Sequence, residues 1–102
     1  MNPPPLTQEQ RRQALAKAAA VRKGRAEIKA DLSDRRLTMA ELLERTDDPL
    51  VGGMKVSAAL SALPGIGKKR TSRLMERVGI LENRRLRGLG KRQREALIRE
   101  LS

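Results

Sequence analysis

The sequence predicts an all-α protein. Apolar residues recur at helical spacing through most of the 102 residues, and no stretch alternates with period two for long enough to form a strand. Two capping boxes, Thr7–Gln10 and Thr38–Glu41, mark helix starts. Pro-Gly and Gly-Gly steps separate the helical stretches, as breakers do. The length allows one modest domain.

A long first helix is predicted over residues 7–32, after an extended arm of residues 1–6 whose prolines cannot enter a helix interior. The helix is rich in Ala, and Gly24 is its only weak helix former. Its apolar side chains form one stripe that we expect to face the core: Ala14, Ala18, Val21, Ile28 and Leu32. Arg11, Arg22 and Lys29 flank that stripe as a solvated face or as a second nucleic-acid edge.

Residues 33–102 are predicted to form a small domain of short helices. Leu42 and Leu43 are expected to point inward, and Gly79 is expected to end a helix in the left-handed conformation. The predicted segments are a helix over 38–45, a turn between 47 and 53, helices over 55–63 and 68–78, a turn over 82–87, and a closing helix over 91–101.

The residue types that are absent exclude several classes of protein. There is no Cys, no His and no aromatic residue, so the chain has no thiol nucleophile, no Ser-His triad and no ordinary zinc or haem ligands. We therefore expect no enzyme, no catalytic residue and no metal site built on such ligands. Base stacking on aromatic rings is excluded as well. No run of about 18 apolar residues occurs, and the N-terminus lacks a signal-peptide pattern, so we expect a cytoplasmic protein.

The charge points to a polyanion. The net charge of +11 is unevenly divided: residues 1–51 hold 10 basic and 8 acidic side chains, and residues 52–102 hold 13 and 4. Nucleic acid is the abundant cytosolic polyanion, and neutralising its phosphates releases counterions. The charge therefore predicts a DNA or RNA partner that docks on the C-terminal half.

One turn combines the features of a phosphate site. In Leu60–Thr71, Pro64-Gly65-Ile66-Gly67 stops one helix and starts another, and Ile66 is expected to be pinned in the core. The amides of Gly65, Gly67 and the next residues then point outward without partners, as an anion site requires. Glycine avoids a Cβ in the path of the phosphate. Four cations surround the turn: Lys68, Lys69, Arg70 and Arg73.

A second basic segment lies at residues 84–90. Arg84, Arg85 and Arg87 repel one another unless an anion lies between them. Arginine binds phosphate bidentately and also enters a narrow minor groove. Leu86 and Leu89 are expected to anchor the segment, with Gly88 and Gly90 close against the duplex.

The turn, Leu60-x-x-Leu63-Pro64-Gly65-Ile66-Gly67 before a basic helix start, resembles the helix-hairpin-helix motif that contacts DNA phosphates. The likeness extends over nearly the whole chain. Together with the Ala/Arg-rich helix, the segments Leu6–Arg11, Gly52–Ala58 and Arg84–Gly90 resemble the actinobacterial integration host factor family. One departure is Gly53, which stands where this family carries a lysine; it removes a charge beside Lys55.

This resemblance implies a long N-terminal helix on a helix-two-turn-helix (H2TH) domain like those of ribosomal protein S13 and formamidopyrimidine-type DNA glycosylases. It also implies a monomer of the nucleoid that bends or constrains double-stranded DNA with little sequence preference and supports chromosome organisation and site-specific recombination. A recombinase, a second duplex on the long helix and a Na⁺ or K⁺ ion on the carbonyls of the Gly65–Gly67 turn are further candidate partners. The alternative is a ribosome-associated RNA-binding protein. The candidate DNA-binding residues are Lys55, Ser57, Gly65, Ile66, Gly67, Lys68, Lys69, Arg70, Arg73, Arg84, Arg85, Arg87 and Gly88.

Overall fold

The computed structural model describes residues 4–101 and confirms the all-α prediction for them. Two segments outside the helices meet in an isolated antiparallel bridge between Lys55 and Arg85. The elements are α1 (Gln8–Ser33), α2 (Met39–Leu43), α3 (Pro49–Gly52), α4 (Val56–Ala62), α5 (Lys68–Val78), a 3₁₀ turn (Leu86–Gly88) and α6 (Lys91–Leu101). Residues 1–3 of the predicted arm lie outside the described residues, whereas residues 4–6 precede α1 as exposed, non-helical chain. None of the described helices is long and apolar enough to cross a membrane.

Local sequence signals determine where the helices begin. Thr7 Oγ1 accepts from the Gln10 amide at 3.1 Å, and Gln10 Oε1 accepts from the Thr7 amide at 2.9 Å. Thr38 and Glu41 form the second reciprocal pair, at 3.1 Å in both directions. Both predicted capping boxes are confirmed. Asp48 caps α3, as the Asp48-Pro49 pattern predicts.

The core is entirely aliphatic and lies beneath the C-terminal half of α1. There α1 packs on α3 and α4, α4 on α5, and α6 on both α5 and α2. Burial of this apolar surface is the main stabilising contribution. The largest fully buried side chains are Leu32, Leu42, Met54, Val56, Leu60, Leu86 and Leu97.

The predicted core stripe of α1 is wrong over its first half. Ala14 and Ala18 are exposed, and only the stretch from Val21 to Leu32 meets the domain. The domain is shorter than the helix, so residues 8–20 extend beyond it; we call this segment the free half of α1. The Cα radius of gyration is 16.0 Å, compared with about 13 Å for a compact chain of this length.

The single turn predicted over 82–87 is two separate turns. The Arg84 amide donates to the Leu81 carbonyl at 3.0 Å across a turn at Glu82 and Asn83, and a 3₁₀ turn follows at Leu86–Gly88. A tertiary pairing separates the two turns: the Val56 amide donates to the Arg84 carbonyl at 3.0 Å, and the Leu86 amide donates to the Met54 carbonyl at 2.9 Å.

Candidate nucleic-acid interface

The two glycines of the turn between α4 and α5 differ in their roles: the backbone favours glycine at position 65, whereas position 67 faces open space. Gly65 has a φ of 77°, in the left-handed region that favours glycine. Gly67 has ordinary extended geometry, and a Cβ there would meet no atom of the chain within 4 Å. Neither backbone nor packing therefore requires glycine at position 67. The small residue keeps open the space in front of α5.

The N-terminus of α5 presents bare amides beside that space. Gly67 caps the helix without a side-chain hydrogen bond. The first helical bond runs from the Thr71 amide to the Gly67 carbonyl at 2.9 Å. The amides of Lys68, Lys69 and Arg70 have no partner among the described residues, and their side chains are exposed. Such a terminus stabilises an anion through its N–H groups and its dipole.

Ile66 packs against the core as predicted, but at its edge, where the side chain is half-buried. Its outer side lines a shallow apolar groove together with Leu63 and Leu101. A polar contact also ties α4 to α5: the hydroxyls of Ser61 and buried Thr71 lie 3.2 Å apart.

The outward flank of α5 extends the positive surface. Lys69, Arg70, Arg73 and Arg77 line one depression between α5 and α6. Glu100 partly neutralises it, since its Oε2 lies 3.4 Å from Arg77 Nη1. Arg70 and Arg73 form no ion pair among the described residues, so both remain available to an anion.

The second basic segment is fixed to the start of α4. The bridge with Arg85 places exposed Lys55 next to it, although the two are 30 positions apart. Arg85 Nη1 also donates to the Gly53 carbonyl at 2.5 Å. Half-buried Ser57 follows in the first turn of α4, and Arg87 is exposed on the 3₁₀ turn. These residues form a second positively charged cluster.

Arg84 and Gly88 lie against each other. Arg84 is half-buried, and a Cβ at Gly88 would lie 2.9 Å from Arg84 Cδ. Glycine at position 88 therefore accommodates the stem of Arg84, so a close approach of the duplex is not needed to explain it. Leu86 and Leu89 are buried and anchor the segment, as predicted.

Helix α1 contributes two cations outside the predicted set of DNA-binding residues, of which Lys29 lies on the face that the sequence offers as a second nucleic-acid edge. Arg25 and Lys29 line the same depression, of about 230 Å³, as Lys55 and Arg85. Arg25 Nε donates to the Leu50 carbonyl at 3.0 Å. Their spacing of four residues on one helix face is the only sequence signal that could have pointed to the pair.

Arg25 occupies the space beside Gly53. A Cβ at position 53 would lie 2.4 Å from Arg25 Nη2 and 3.0 Å from the Pro49 carbonyl oxygen. The charge that Gly53 lacks is thus supplied at the same place by α1.

One cation of the C-terminal half has a structural role. Arg94 Nε donates to the Leu89 carbonyl at 3.2 Å, and Nη1 donates to the Leu43 carbonyl at 3.1 Å. Its Nη2 lies 3.2 Å from Thr46 Oγ1. These contacts tie α6 to α2, so Arg94 is largely committed to the fold.

Family and sequence comparisons give a consistent result. Residues 32–101 match the S13-like H2TH domain. The chain is 50% identical over 98 residues to the Integration host factor of Streptomyces coelicolor, which covers 95% of this chain and 92% of that protein. It is 48% identical over 96 residues to the Integration host factor of Mycobacterium tuberculosis, covering 93% and 91%.

A solved structure is similar as well. It is described as sIHF bound to an 8-bp palindromic DNA, and it aligns with a TM-score of 0.82 at 45% sequence identity. The alignment covers 85% of this chain and 99% of that one.

Proposed function

The chain belongs to the actinobacterial integration host factor family, with its S13-like H2TH domain, and on that basis we propose that it is an architectural protein that binds double-stranded DNA. It grips the phosphate backbone and the minor groove with little sequence preference, and it bends or constrains the duplex. The DNA in the similar solved complex supports this assignment.

The observation that carries the proposal is the uncapped start of α5. Three unpaired amides, open space at Gly67 and exposed cations converge there. This arrangement suits a phosphate and contacts no base edge, which accounts for the weak sequence preference. The DNA-contacting set in this proposal comprises Gly65, Ile66, Gly67, Lys68, Lys69, Arg70 and Arg73 around the turn, and Lys55, Ser57, Arg84, Arg85, Arg87 and Gly88 in the second cluster.

Two contacts on one rigid body favour deformed DNA. Helix α4, whose seven residues span about 10 Å, separates the turn from the Lys55–Arg85 bridge. A duplex that bends toward the protein engages both clusters, and the added contacts offset the cost of bending.

The finer assignments are part of the same proposal. The protein acts as a non-enzymatic monomer in the cytoplasmic nucleoid, the free half of α1 reaches a second duplex, and a site-specific recombinase is a partner. Its parts are the arm 1–6, the long helix 7–32 and the H2TH domain 33–102. The carbonyl oxygens of Pro64, Gly65 and Ile66 accept no hydrogen bond from the described residues; these oxygen donors fit a Na⁺ or K⁺ ion, which would add positive charge to the turn.

A salt series tests the function. We expect binding to a duplex of about 30 base pairs to weaken steeply with salt, with a log–log slope of about −0.9 per neutralised phosphate. Arg85→Ala and Gly67→Glu should weaken binding at fixed salt, the second by placing a carboxylate where a phosphate docks. Gly67→Ala, for which the chain has room, shows how much of the effect of Gly67→Glu comes from the lost space and how much from the added charge. Arg99→Ala on α6 is the matched control for Arg85→Ala.

Circular dichroism melts establish that each variant is folded. Parental affinity in folded Arg85→Ala and Gly67→Glu would contradict the proposal. An equal-length RNA duplex that outcompetes DNA would instead assign the basic clusters to A-form RNA.

A further inference from the structure

We propose that Lys29 of α1 binds the same DNA phosphate as Lys55 and Arg85, and that Arg25 is the positioning residue of this site. The inference rests on the proposed function, because it takes the ligand to be a backbone phosphate of the bound duplex. It makes the packed half of α1 part of the grip on DNA, whereas the second duplex considered above concerns the free half.

The four cations share one depression with no counter-charge. Its other lining residues are Gly53, Met54 and Ala58, and none carries a carboxylate. The ion pairs among the described residues, Arg12–Glu9 and Arg77–Glu100, lie elsewhere. Like charges gathered in this way raise one another's free energy unless an anion binds between them. The depression is therefore complementary to a phosphate.

Two of the cations are held in place before any ligand arrives. Arg25 donates to the Leu50 carbonyl, and Arg85 donates to the Gly53 carbonyl, so the two side chains hold the 50–53 backbone at both of its ends. Each interaction uses one of the five guanidinium N–H donors. Arg85 thus keeps further donors for a phosphate, and Arg25 acts by holding the Leu50 end of the backbone whose Gly53 carbonyl fixes Arg85.

Lys29 and Lys55 complete the site as mobile charges. Both are exposed, and neither has an ion-pair partner among the described residues. A lysine ammonium is a point charge on a flexible stem, so it can approach a phosphate from many directions. The fixed guanidinium of Arg85 instead determines the direction of the hydrogen bonds to the phosphate. Lys29 lies one turn beyond Arg25, on the same side of α1.

Lys29→Gln tests the site, with Lys23→Gln as its control. Both changes remove one exposed lysine charge from the same helix, but Lys23 lies about 120° around α1 from Lys29 and does not line the depression. We expect Lys29→Gln to reduce the magnitude of the salt slope by about 0.9 and to weaken binding about 5- to 10-fold at 0.1 M salt. Lys23→Gln should leave the slope unchanged.

A double-mutant cycle provides a readout that a purely structural role would not move. If Lys29 and Arg85 bind one phosphate, Lys29→Gln costs less affinity in an Arg85→Ala background than in the parent. Two results would overturn this inference alone, provided that the affinity of the parent falls steeply with salt. One is a salt slope of Lys29→Gln equal to that of Lys23→Gln, and the other is additive losses of affinity for Lys29→Gln and Arg85→Ala. A parent whose affinity does not respond to salt overturns the proposed function and this site with it.

Discussion

Arginine side chains do two different kinds of work in this protein. Arg25 and Arg94 each donate to a backbone carbonyl far away in sequence and thereby fix the chain path, and Arg85 does so with Nη1 while keeping its other donors for a ligand. Arg70 and Arg73 form no such contact among the described residues and remain available to an anion. A count of basic residues therefore overstates the binding charge, because part of it is committed to the fold.

Arg35 carries local strain. It is the non-glycine residue with positive φ among those described, at 63°, just after the end of α1. Glycine is favoured at this position because it has no Cβ penalty. We expect Arg35→Gly to raise the free energy of unfolding by about 0.5–1 kcal/mol. Urea unfolding followed by circular dichroism measures the change, since the chain has no aromatic fluorophore.

The neighbouring Arg36→Gly is the control for that prediction. It should destabilise, because it adds backbone freedom to the unfolded state without relieving positive φ. Equal effects of the two changes would show that the left-handed geometry at Arg35 costs nothing.

Glu41 makes part of the stability depend on pH. The Thr38 backbone amide, then the Thr38 hydroxyl, hold the pKa of Glu41 below its usual value. A lowered pKa means that the folded state favours the carboxylate. This stabilisation is complete above the unfolded pKa of about 4.3 and is lost as the pH falls through the lower folded pKa. Glu41→Gln keeps an acceptor for the cap and should flatten the acid side of a plot of Tm against pH.

Glu44→Gln removes an exposed carboxylate from the C-terminal end of α2 and leaves the Thr38–Glu41 capping box intact. It should preserve the acid slope of the parent. An acid slope that stays unchanged in Glu41→Gln would mean that the cap does not discriminate between the two forms of Glu41.

Helices differ in how much of their structure depends on tertiary contact. The free half of α1 has only local stabilisation, from its capping box, its helix propensity and the contacts of Glu9 with Arg12 and Gln13, whereas the stretch from Val21 to Leu32 packs on α3 and α4. An isolated helix of about 12 residues is marginal in water. The free half stays helical because it extends a helix that is already formed in the packed segment. The free-energy cost of helix nucleation is therefore not paid again.

Hydrogen exchange should detect this difference. We expect amide protection along α1 to rise from residue 12 to residue 33, with fast exchange in the free half and protection near the global value at Ile28 and Leu32, whose helix turns pack on the core. Exchange read out by NMR resolves the gradient. Uniform protection along α1 would mean that another surface covers the free half.

The sequence predicts elements well where the signal is local. Thr7, Thr38 and Gly79 take the cap positions that their neighbours imply. Prediction from the sequence fails where the local structure depends on contact with a distant segment of backbone. No side-chain pattern marks the pairing of Lys55 with Arg85, and that pairing divides the predicted turn into two. The stripe on α1 has the right period, but it cannot reveal how far the domain reaches along the helix.

At the scale of the molecule, long-range hydrogen bonds close the fold. Arg94 on α6 spans 51 positions to Leu43 and 48 to Thr46. The candidate phosphate site at the turn could be predicted, because it lies within one continuous segment. The sequence could offer Lys29 as part of a nucleic-acid edge, but not its grouping with Arg25, Lys55 and Arg85, because that depends on how α1 is placed against the Lys55–Arg85 bridge.

Removal of Arg94 should destabilise the fold, because its hydrogen bonds join α6 to α2. Arg94→Met keeps the aliphatic stem but removes the side-chain donor of the Leu89 carbonyl and leaves the Leu43 carbonyl with only the Thr46 hydroxyl at 3.4 Å. We expect a loss of about 2–3 kcal/mol in the free energy of unfolding, measured by urea unfolding. Arg92→Met, at an exposed site of the same helix, should stay within about 0.5 kcal/mol. Similar values for the two variants would contradict the structural role of Arg94.

The free half of α1 has a consequence for evolution. Its residues are exposed and contribute no side chain to the buried core, so substitutions, insertions and truncations there escape the packing constraints that act on the domain. Only helix propensity and charge limit the sequence of this segment. Selection can therefore adjust its length and charge from species to species while the H2TH domain stays intact, and divergence among relatives should accumulate there first.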